Sequence, residues 1–346
     1  MKKLLVTTDF APLAGGISQY YQHRVSSTDS GSVCVLMNQV PGFENVKKDY
    51  KIIYKKFFCQ IIWPHWLPLI WHIVRAVKKE KITHLWAGQV LPVGTAVLFI
   101  SKVKNLPYSV TCHGNDLLRA KKHSRKYKLA RKILHSAKIV EANTDFTKNI
   151  LVSDYGLPED KIKVIRPENT LSKETIDQGR VERLQEKYDL KGKKVLLTVA
   201  RIVESKGIDR VIKALEAVWQ ENPDLVYLVV GDGPYLDDLK NLSDDDRIIF
   251  TGHVEHRGLA DYYALSDVFI MTPKTLPLSK GEVRRGYVGD TESFGIVYLE
   301  ALEFGLPVIA GDTGGVREIK SPGITFIDSG SIADISEQIL QNFQSK

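Results

Sequence analysis

The sequence predicts an α/β protein of two domains, each a doubly wound parallel sheet with helices on both faces. At 346 residues it is about twice the length served by one hydrophobic core. Short β-rich runs alternate with helix-length segments from end to end, the pattern of parallel strands joined by crossover helices. That periodicity breaks once, at Val164-Ile-Arg-Pro-Glu-Asn-Thr-Leu-Ser172, before a fresh strand–helix series begins. In the first half the expected strands are Lys3–Thr8, Ser32–Met37, His84–Ala87, Pro107–Cys112 and Lys138–Ala142. In the second they are Val195–Val199, Val226–Val230, Ile248–Phe250, Val268–Met271 and Pro307–Ala310. The expected division is a first domain over 1–165, a junction over 166–192 and a second domain over 193–346.

Composition narrows the class. A hydrophobic content of 43% with 26% charged residues is that of an ordinary folded enzyme. Cys34, Cys59 and Cys112 are few and far apart, which suits a reducing cytoplasm and no metal-binding pair. The apolar run after Lys2 and Lys3 ends at Asp9, too soon for a signal peptide. Ile61 to Val77 is interrupted by two prolines and two histidines and falls short of a membrane span. The net charge of +7 conceals an asymmetry, since residues 1–165 carry 26 Lys and Arg against 11 Asp and Glu, whereas the remainder carry 22 against 30. The two halves are therefore expected to meet different partners.

The second half holds the densest chemistry. Val199-Ala-Arg201 ends a strand, and Lys206-Gly207 precedes a helical pattern from Ile208, so two cations flank a strand-to-helix turn. Ligands of doubly wound sheets bind beyond the carboxyl ends of the strands, and an Arg fork with a Lys point charge suits a diphosphate; a solvated loop pair fits equally. Gly231-Asp-Gly233-Pro234 lacks the third glycine of a dinucleotide fingerprint, which argues against NAD. Phe250-Thr-Gly252-His-Val254 repeats the strand-then-glycine pattern and frames either a nucleobase or a plain turn. Glu292-Ser-Phe294-Gly295-Ile296 leads into a helix containing Glu300. The amides of Phe294, Gly295 and Ile296 would lie free at its positive end, with Glu300 on ribose hydroxyls and Glu292 on the sugar. Taken alone, two such glutamates also fit a solvated helix face. Gly311, Gly314 and Gly315 allow a further backbone approach.

In the first half, Gly15-Gly16 lies between the first strand and a helix, where amides suit a phosphate or simply a tight turn. His113 ends a strand beside Gly114, so it is expected at the rim of the ligand crevice, although a lone histidine also fits a structural role.

In this order the motifs resemble those of the retaining family-4 glycosyltransferases of the GT-B fold, the glycosyl transferases group 1, over nearly the whole chain. The tracts that carry the resemblance are Gly15-Gly16, His113-Gly-Asn-Asp116, Ala200-Arg201 with Lys206-Gly207, Gly231-Asp-Gly-Pro234 and Phe250-Thr-Gly252. Ala264 to Asp267, Pro273, Glu292 with Glu300, and Gly314-Gly315-Val with Glu318 complete it. The resemblance implies two facing Rossmann-like domains with a UDP- or GDP-sugar in the cleft. It further implies Arg201 and Lys206 on the diphosphate, Glu300 on the ribose, Glu292 and the Phe294–Ile296 amides on the sugar, and His113 near that sugar from the opposite domain. No metal or other cofactor is implied, and the anomeric configuration is kept. Two departures stand out: Lys274 to Asp290 is long, with Lys280, Arg284 and Arg285, and is expected to form a loop over the sugar. Relatives usually continue past Ile335–Leu340 into helices that cross back to the first domain, so a shortened C-terminus is expected in a sequence ending at Lys346.

Leu117 to Lys138 contains nine Lys or Arg and no Asp or Glu, with apolar residues at helical spacing, and reads as one basic amphipathic helix. With Lys47, Lys48, Lys51, Lys55, Lys56 and Trp63, Trp66 and Trp71 it suggests a surface for anionic headgroups, although a solvated basic face around an ordinary core helix also fits. The expected acceptor is a glycan, glycolipid or lipid-linked sugar met on the inner face of the cytoplasmic membrane, in bacterial cell-surface polysaccharide, lipopolysaccharide or glycolipid synthesis. A nucleotide-sugar 2-epimerase and a non-catalytic partner subunit of the same fold are the competing readings. Nucleic acid is not an expected partner, because aromatics are not interleaved with the cations.

Overall fold

The computed structural model describes residues 1–344 apart from 14, 30, 40–49 and 275–290. It divides into two compact units, 1–167 and 168–346.

Unit 1 is built on a seven-stranded sheet of order β3-β2-β1-β4-β5-β6-β7 in which every pairing is parallel. Its strands are β1 (Lys3–Thr7), β2 (Val33–Asn38), β3 (Lys51–Lys55), β4 (His84–Ala87), β5 (Tyr108–Cys112), β6 (Ile139–Ala142) and β7 (Ile162–Val164). The helices are α1 (Gly16–Ser26), α2 (Leu67–Glu80), α3 (Val93–Lys104), α4 (Asn115–Lys121), α5 (Ser124–Ser136) and α6 (Asp145–Ser153). Because side chains alternate across a strand, Leu4 and Val6 enter a core made with α2, α3 and α5, while Leu5 joins Tyr20, Tyr21 and Val25 of α1 on the other face. The expected single basic helix over Leu117–Lys138 is instead α4 and α5, and the apolar side of α5, Ala130, Ile133 and Leu134, is buried in that core.

Unit 2 holds a six-stranded parallel sheet of order β10-β9-β8-β11-β12-β13. Its elements run α7 (Gln178–Lys187), β8 (Lys194–Val199), α8 (Ile208–Glu221), β9 (Leu225–Val230), α9 (Leu236–Leu242) and β10 (Ile248–Phe250). Then come α10 (Leu259–Ala264), β11 (Val268–Met271), α11 (Ile296–Glu303), β12 (Val308–Gly311), β13 (Ile324–Ile327) and α12 (Ile332–Gln344). Val195, Leu197 and Val199 of β8 face one core with Tyr263 and Tyr298; Leu196 faces the other with α8 and α12. The stretch 166–192, expected as a junction, is mostly part of this unit: Leu171, Val181, Leu184 and Leu190 are buried in its core. Asp177 caps α7 by accepting the Arg180 amide at 3.0 Å.

Three strands were not expected from the sequence. β3 and β7 are sheet edges with no fully buried residue, and β13 is an edge with only Ile327 buried, so each is short and mostly half-buried or exposed rather than a buried apolar run. Among the described residues no helix is long and apolar enough to cross a membrane.

Candidate active site

In unit 2 the direction of strand addition reverses between β8 and β11, the switch point beyond whose carboxyl ends ligands of doubly wound sheets bind. The loop after β8 carries both sequence-predicted cations. Arg201 is exposed, and its side chain has no hydrogen-bond or ion-pair partner among the described residues. Its backbone is fixed on either side, since the Ile202 amide donates to the Asp232 carbonyl at 2.9 Å and the Val203 amide to Arg201's own carbonyl at 2.9 Å. The Lys206 ammonium donates to Glu292 Oε2 at 2.5 Å, a contact across 86 positions of sequence between two largely buried groups. Gly207 has φ 72°, and a Cβ there would stand 1.9 Å from the Thr272 carbonyl oxygen after β11, so the loop closes only with glycine.

A second loop meets the first through Glu292. The Glu292 carbonyl accepts the Gly315 amide at 3.1 Å, and a Cβ on Gly314 would lie 1.9 Å from the same oxygen. Three loops, after β8, before α11 and after β12, thus lock together around one ion pair. Phe294 is buried as the anchor of the middle loop. Gly295 occupies the N-cap of α11 and no side chain caps it. The amides of Phe294, Gly295 and Ile296 donate to no protein acceptor among the described residues. Unsatisfied donors at a positive helix end, with the Lys206 ammonium held by the preceding loop and the Arg201 guanidinium on the same β8–α8 loop as Lys206, suit an anion with several oxygens.

Glu300, the second glutamate of the pair, is not displayed on the helix surface as a solvated face would be. It is 3% exposed, and Tyr263 donates to its Oε2 at 2.7 Å. Burial pushes its carboxyl up to about 7, with the Tyr263 hydroxyl pulling in the other direction. His256 Nδ1 lies 3.9 Å from Oε1, and burial lowers the imidazole's pKa, so the histidine faces Glu300 as a neutral ring near neutral pH. Gly231 and Gly252 tie the ends of β9 and β10, the Gly231 amide donating to the Gly252 carbonyl at 3.0 Å. Val254 beyond them is half-buried against the unit 2 core. Tyr263 and His256 escaped the sequence reading, because nothing in α10 or the turn before it distinguishes them from core and surface residues.

Lys274 is held between Asp209, both oxygens at 3.1 Å, and Glu204 at 3.5 Å. The remainder of the expected sugar loop, with Lys280, Arg284 and Arg285, lies outside the described residues, as do Lys47 and Lys48. No cluster of His, Cys, Asp and Glu suited to a metal ion occurs among the described residues.

In unit 1, Gly15 occupies the N-cap of α1 and Gly16 opens the helix, with the Gln19 amide donating to the Gly15 carbonyl at 3.1 Å. His113 follows β5, but it does not stand at an open rim. Its residue exposure is 7%, and its ring meets Tyr20 and Tyr21 edge-on. Tyr21 Oη lies 2.5 Å from the Gly88 carbonyl oxygen and 2.8 Å from His113 Nε2. A carbonyl has no proton to give, so the Tyr21 hydroxyl must donate to Gly88 and His113 must donate Nε2–H to Tyr21. Burial lowers the imidazole to about 4, so it is neutral and Nδ1 carries the lone pair. Asp116 is buried below it, its Oδ1 accepting the amides of His113 and Leu117 at 3.0 Å each. Burial raises this carboxyl to about 6, and those amides restrain the rise.

Comparison with known proteins is consistent across both units. Residues 32–167 match the Glycosyltransferase Family 4 model, and residues 181–346 match the model of glycosyl transferases group 1. The chain is 26% identical over 341 residues to the GDP-mannose-dependent alpha-(1-6)-phosphatidylinositol monomannoside mannosyltransferase of Mycolicibacterium smegmatis, covering 96% of this chain and 85% of that one. It is 27% identical to the GDP-mannose-dependent monoacylated alpha-(1-6)-phosphatidylinositol monomannoside mannosyltransferase of Corynebacterium glutamicum, covering 98% and 87%. Among solved structures, Anabaena HepE in complex with UDP and glucose superimposes with a TM-score of 0.77 at 18% identity, over 99% of this chain and 90% of that one, a likeness of fold.

Proposed function

We propose that this chain, which belongs to the family-4 glycosyltransferases of the GT-B fold, transfers a hexose or N-acetylhexosamine from a nucleotide-diphosphate sugar to a lipid-linked or glycolipid acceptor. The reading rests above all on the meeting of Lys206, Glu292 and the uncapped start of α11, with unpaired Arg201 on the same β8–α8 loop. Such a set answers a diphosphate: two cations and several amides for its oxygens, and no buried apolar surface wasted on it. Two of the similar proteins are named as GDP-mannose-dependent phosphatidylinositol monomannoside mannosyltransferases, and this favours a GDP-sugar, mannose first among the candidates, and an inositol-lipid type of acceptor.

The chemistry follows from where charge develops. As the glycosidic bond to the diphosphate stretches, negative charge grows on the leaving phosphate, and Arg201, Lys206 and the positive end of α11 stabilise it. A diphosphate that draws Lys206 away from Glu292 releases a carboxylate next to the transferred sugar. That carboxylate accepts hydrogen bonds from the sugar hydroxyls and orients the ring. Glu300, through the oxygen Tyr263 does not occupy, accepts from the ribose once ionised. The acceptor hydroxyl attacks from the face the leaving group vacates and gives its proton to the departing diphosphate oxygen, which retains the anomeric configuration and needs no protein nucleophile or metal. Synthesis of a cell-surface glycolipid or polysaccharide at the inner face of the cytoplasmic membrane is the setting this substrate pair suggests.

The test is a panel of GDP- and UDP-sugars scored for thermal stabilisation, slow hydrolysis and transfer to phosphatidylinositol-based acceptors. GDP-mannose should stabilise the protein most and be consumed with release of GDP. Stabilisation by no nucleoside diphosphate would refute the transferase reading, and conversion of the sugar in place without GDP release would identify an epimerase.

A further inference from the structure

Unit 1 presents large apolar side chains to solvent in one region. Ile61 is 95% exposed, Trp63 85% and Trp71 58%, with Ile62 and Leu67 also exposed between them. These are not frayed ends. The loop that carries Ile61, Ile62 and Trp63 is closed at its base, the Cys59 amide donating to the His65 carbonyl at 2.8 Å and His65 Nδ1 to the Cys59 carbonyl at 3.0 Å. Below the loop Phe57 is fully buried and donates its amide to Asn38 Oδ1 at 2.9 Å. The fold therefore holds an apolar tip outward on a fixed base.

The face continues along α2. Leu69, Ile73 and Ala76 are buried, which turns Trp71, Arg75, Lys78 and Lys79 outward on one stripe. The Arg75 guanidinium lies over the Trp71 ring, 5.4 Å from its centroid. Next in the layer α2 packs on α3, which exposes Phe99, Lys102, Val103 and Lys104, and α3 packs on α5. On α5 the outward residues are polar, including Arg125, Lys126, Lys128, Arg131 and Lys132. Together α2, α3 and α5 carry ten Lys or Arg and one carboxylate. That carboxylate, Glu80, is buried and paired with Lys51 at 2.7 Å.

We infer that the tip at Ile61–Trp63 and the α2–α3–α5 layer of unit 1 form one docking face for an anionic lipid bilayer. The tip and Trp71 enter the headgroup–acyl boundary, and the cations of α5 remain in the headgroup plane, since the apolar side of α5 is already spent in the core. Exposed aliphatic Ile61, Ile62 and Leu67 favour lipid over nucleic acid, because a base stacks on rings and gains little from isoleucine. The inference deepens the lipid-acceptor reading above and rests on it.

The test uses the full chain with vesicles of phosphatidylcholine alone and of phosphatidylcholine mixed equally with phosphatidylglycerol. Wild type should partition onto the anionic vesicles at least about tenfold better, with a blue shift of tryptophan fluorescence, and raised salt should weaken it. Ile61→Ser with Trp63→Ser and Trp71→Ser should lower partition about tenfold or more at an unchanged melting temperature. Arg131→Glu with Lys132→Glu should lower it and flatten the salt dependence. Equal recovery on both vesicles, wild-type partition by the serine variant, or equally tight binding to poly-uridylate without a blue shift would each overturn the inference. Thermal stabilisation by GDP is read on the same samples. Its loss with docking intact strikes only the transferase reading, and its persistence with docking absent strikes only this face.

Discussion

The two units share a doubly wound parallel sheet and differ in what they leave unsatisfied at the carboxyl ends of their strands. In unit 2 the loop after β8 carries Arg201, and the amides of Phe294, Gly295 and Ile296 stand at the start of α11; neither the guanidinium nor those amides has a partner among the described residues. In unit 1 the corresponding group, His113, is enclosed by Tyr20, Tyr21, Gly88 and Asp116 and carries its hydrogen bonds internally. Unit 1 directs its surplus charge and exposed rings to the outside of a helical layer instead. On the readings proposed above, one sheet architecture would serve a small polyanion in one half and an extended surface in the other, with loops and helix faces rather than the sheets making the difference.

The sharpest way to break this contrast is to neutralise the open cation. Arg201→Ala should lower kcat/KM about 100- to 1,000-fold, in keeping with loss of a group that acts on transition-state charge, and should leave the melting temperature of the unliganded protein unchanged. A matching fall in melting temperature would mean that Arg201 is structural. For unit 1 the expected effect falls on stability. Tyr21→Phe removes the acceptor of His113 Nε2–H and the donor to Gly88, and should cost about 1–3 kcal/mol in denaturant unfolding. A neutral outcome would show that the histidine is not locked as described.

Glu300 provides a pH test. Its folded pKa of about 7 lies above the ordinary 4.5, so the folded state binds more protons between those values. Stability contributed by the protonated form is fully present below about pH 4.5, is lost as pH rises towards 7, and is level above. Wild type should therefore lose up to ~3 kcal/mol relative to Glu300→Gln across that window, measured by unfolding at several pH values. Parallel pH profiles would contradict the assignment. The smallest expected effect belongs to the ion pair. Glu292→Gln frees Lys206 in advance, so GDP should bind about three- to tenfold tighter by calorimetry while transfer slows. Weaker GDP binding would mean that the carboxylate, not the ammonium, contacts the nucleotide.

Much of the architecture was legible because buried parallel strands are apolar runs: the residues of β8, β9 and β11 are nearly all buried. β3, β7 and β13 escaped notice because an edge strand owes its pairing to its neighbour rather than to its own side chains. The polar stretch after Pro167 looked like a linker, yet Val181 and Leu184 of α7 are spaced to bury together on one side. At the site, glycine positions and strand ends located Arg201, Lys206 and Glu292. No local pattern could reveal that Lys206 and Glu292 touch, since the contact spans 86 positions. Nor could one foresee that Tyr21 occupies His113, because a tyrosine inside α1 reads as core.

The direct test of the account is a crystal structure of the chain with GDP bound. The diphosphate should sit within hydrogen-bonding distance of Arg201, Lys206 and the Gly295 and Ile296 amides, with the Lys206–Glu292 contact opened. A nucleotide bound elsewhere, or a Lys206 still on Glu292 beside a fully occupied nucleotide, would contradict it.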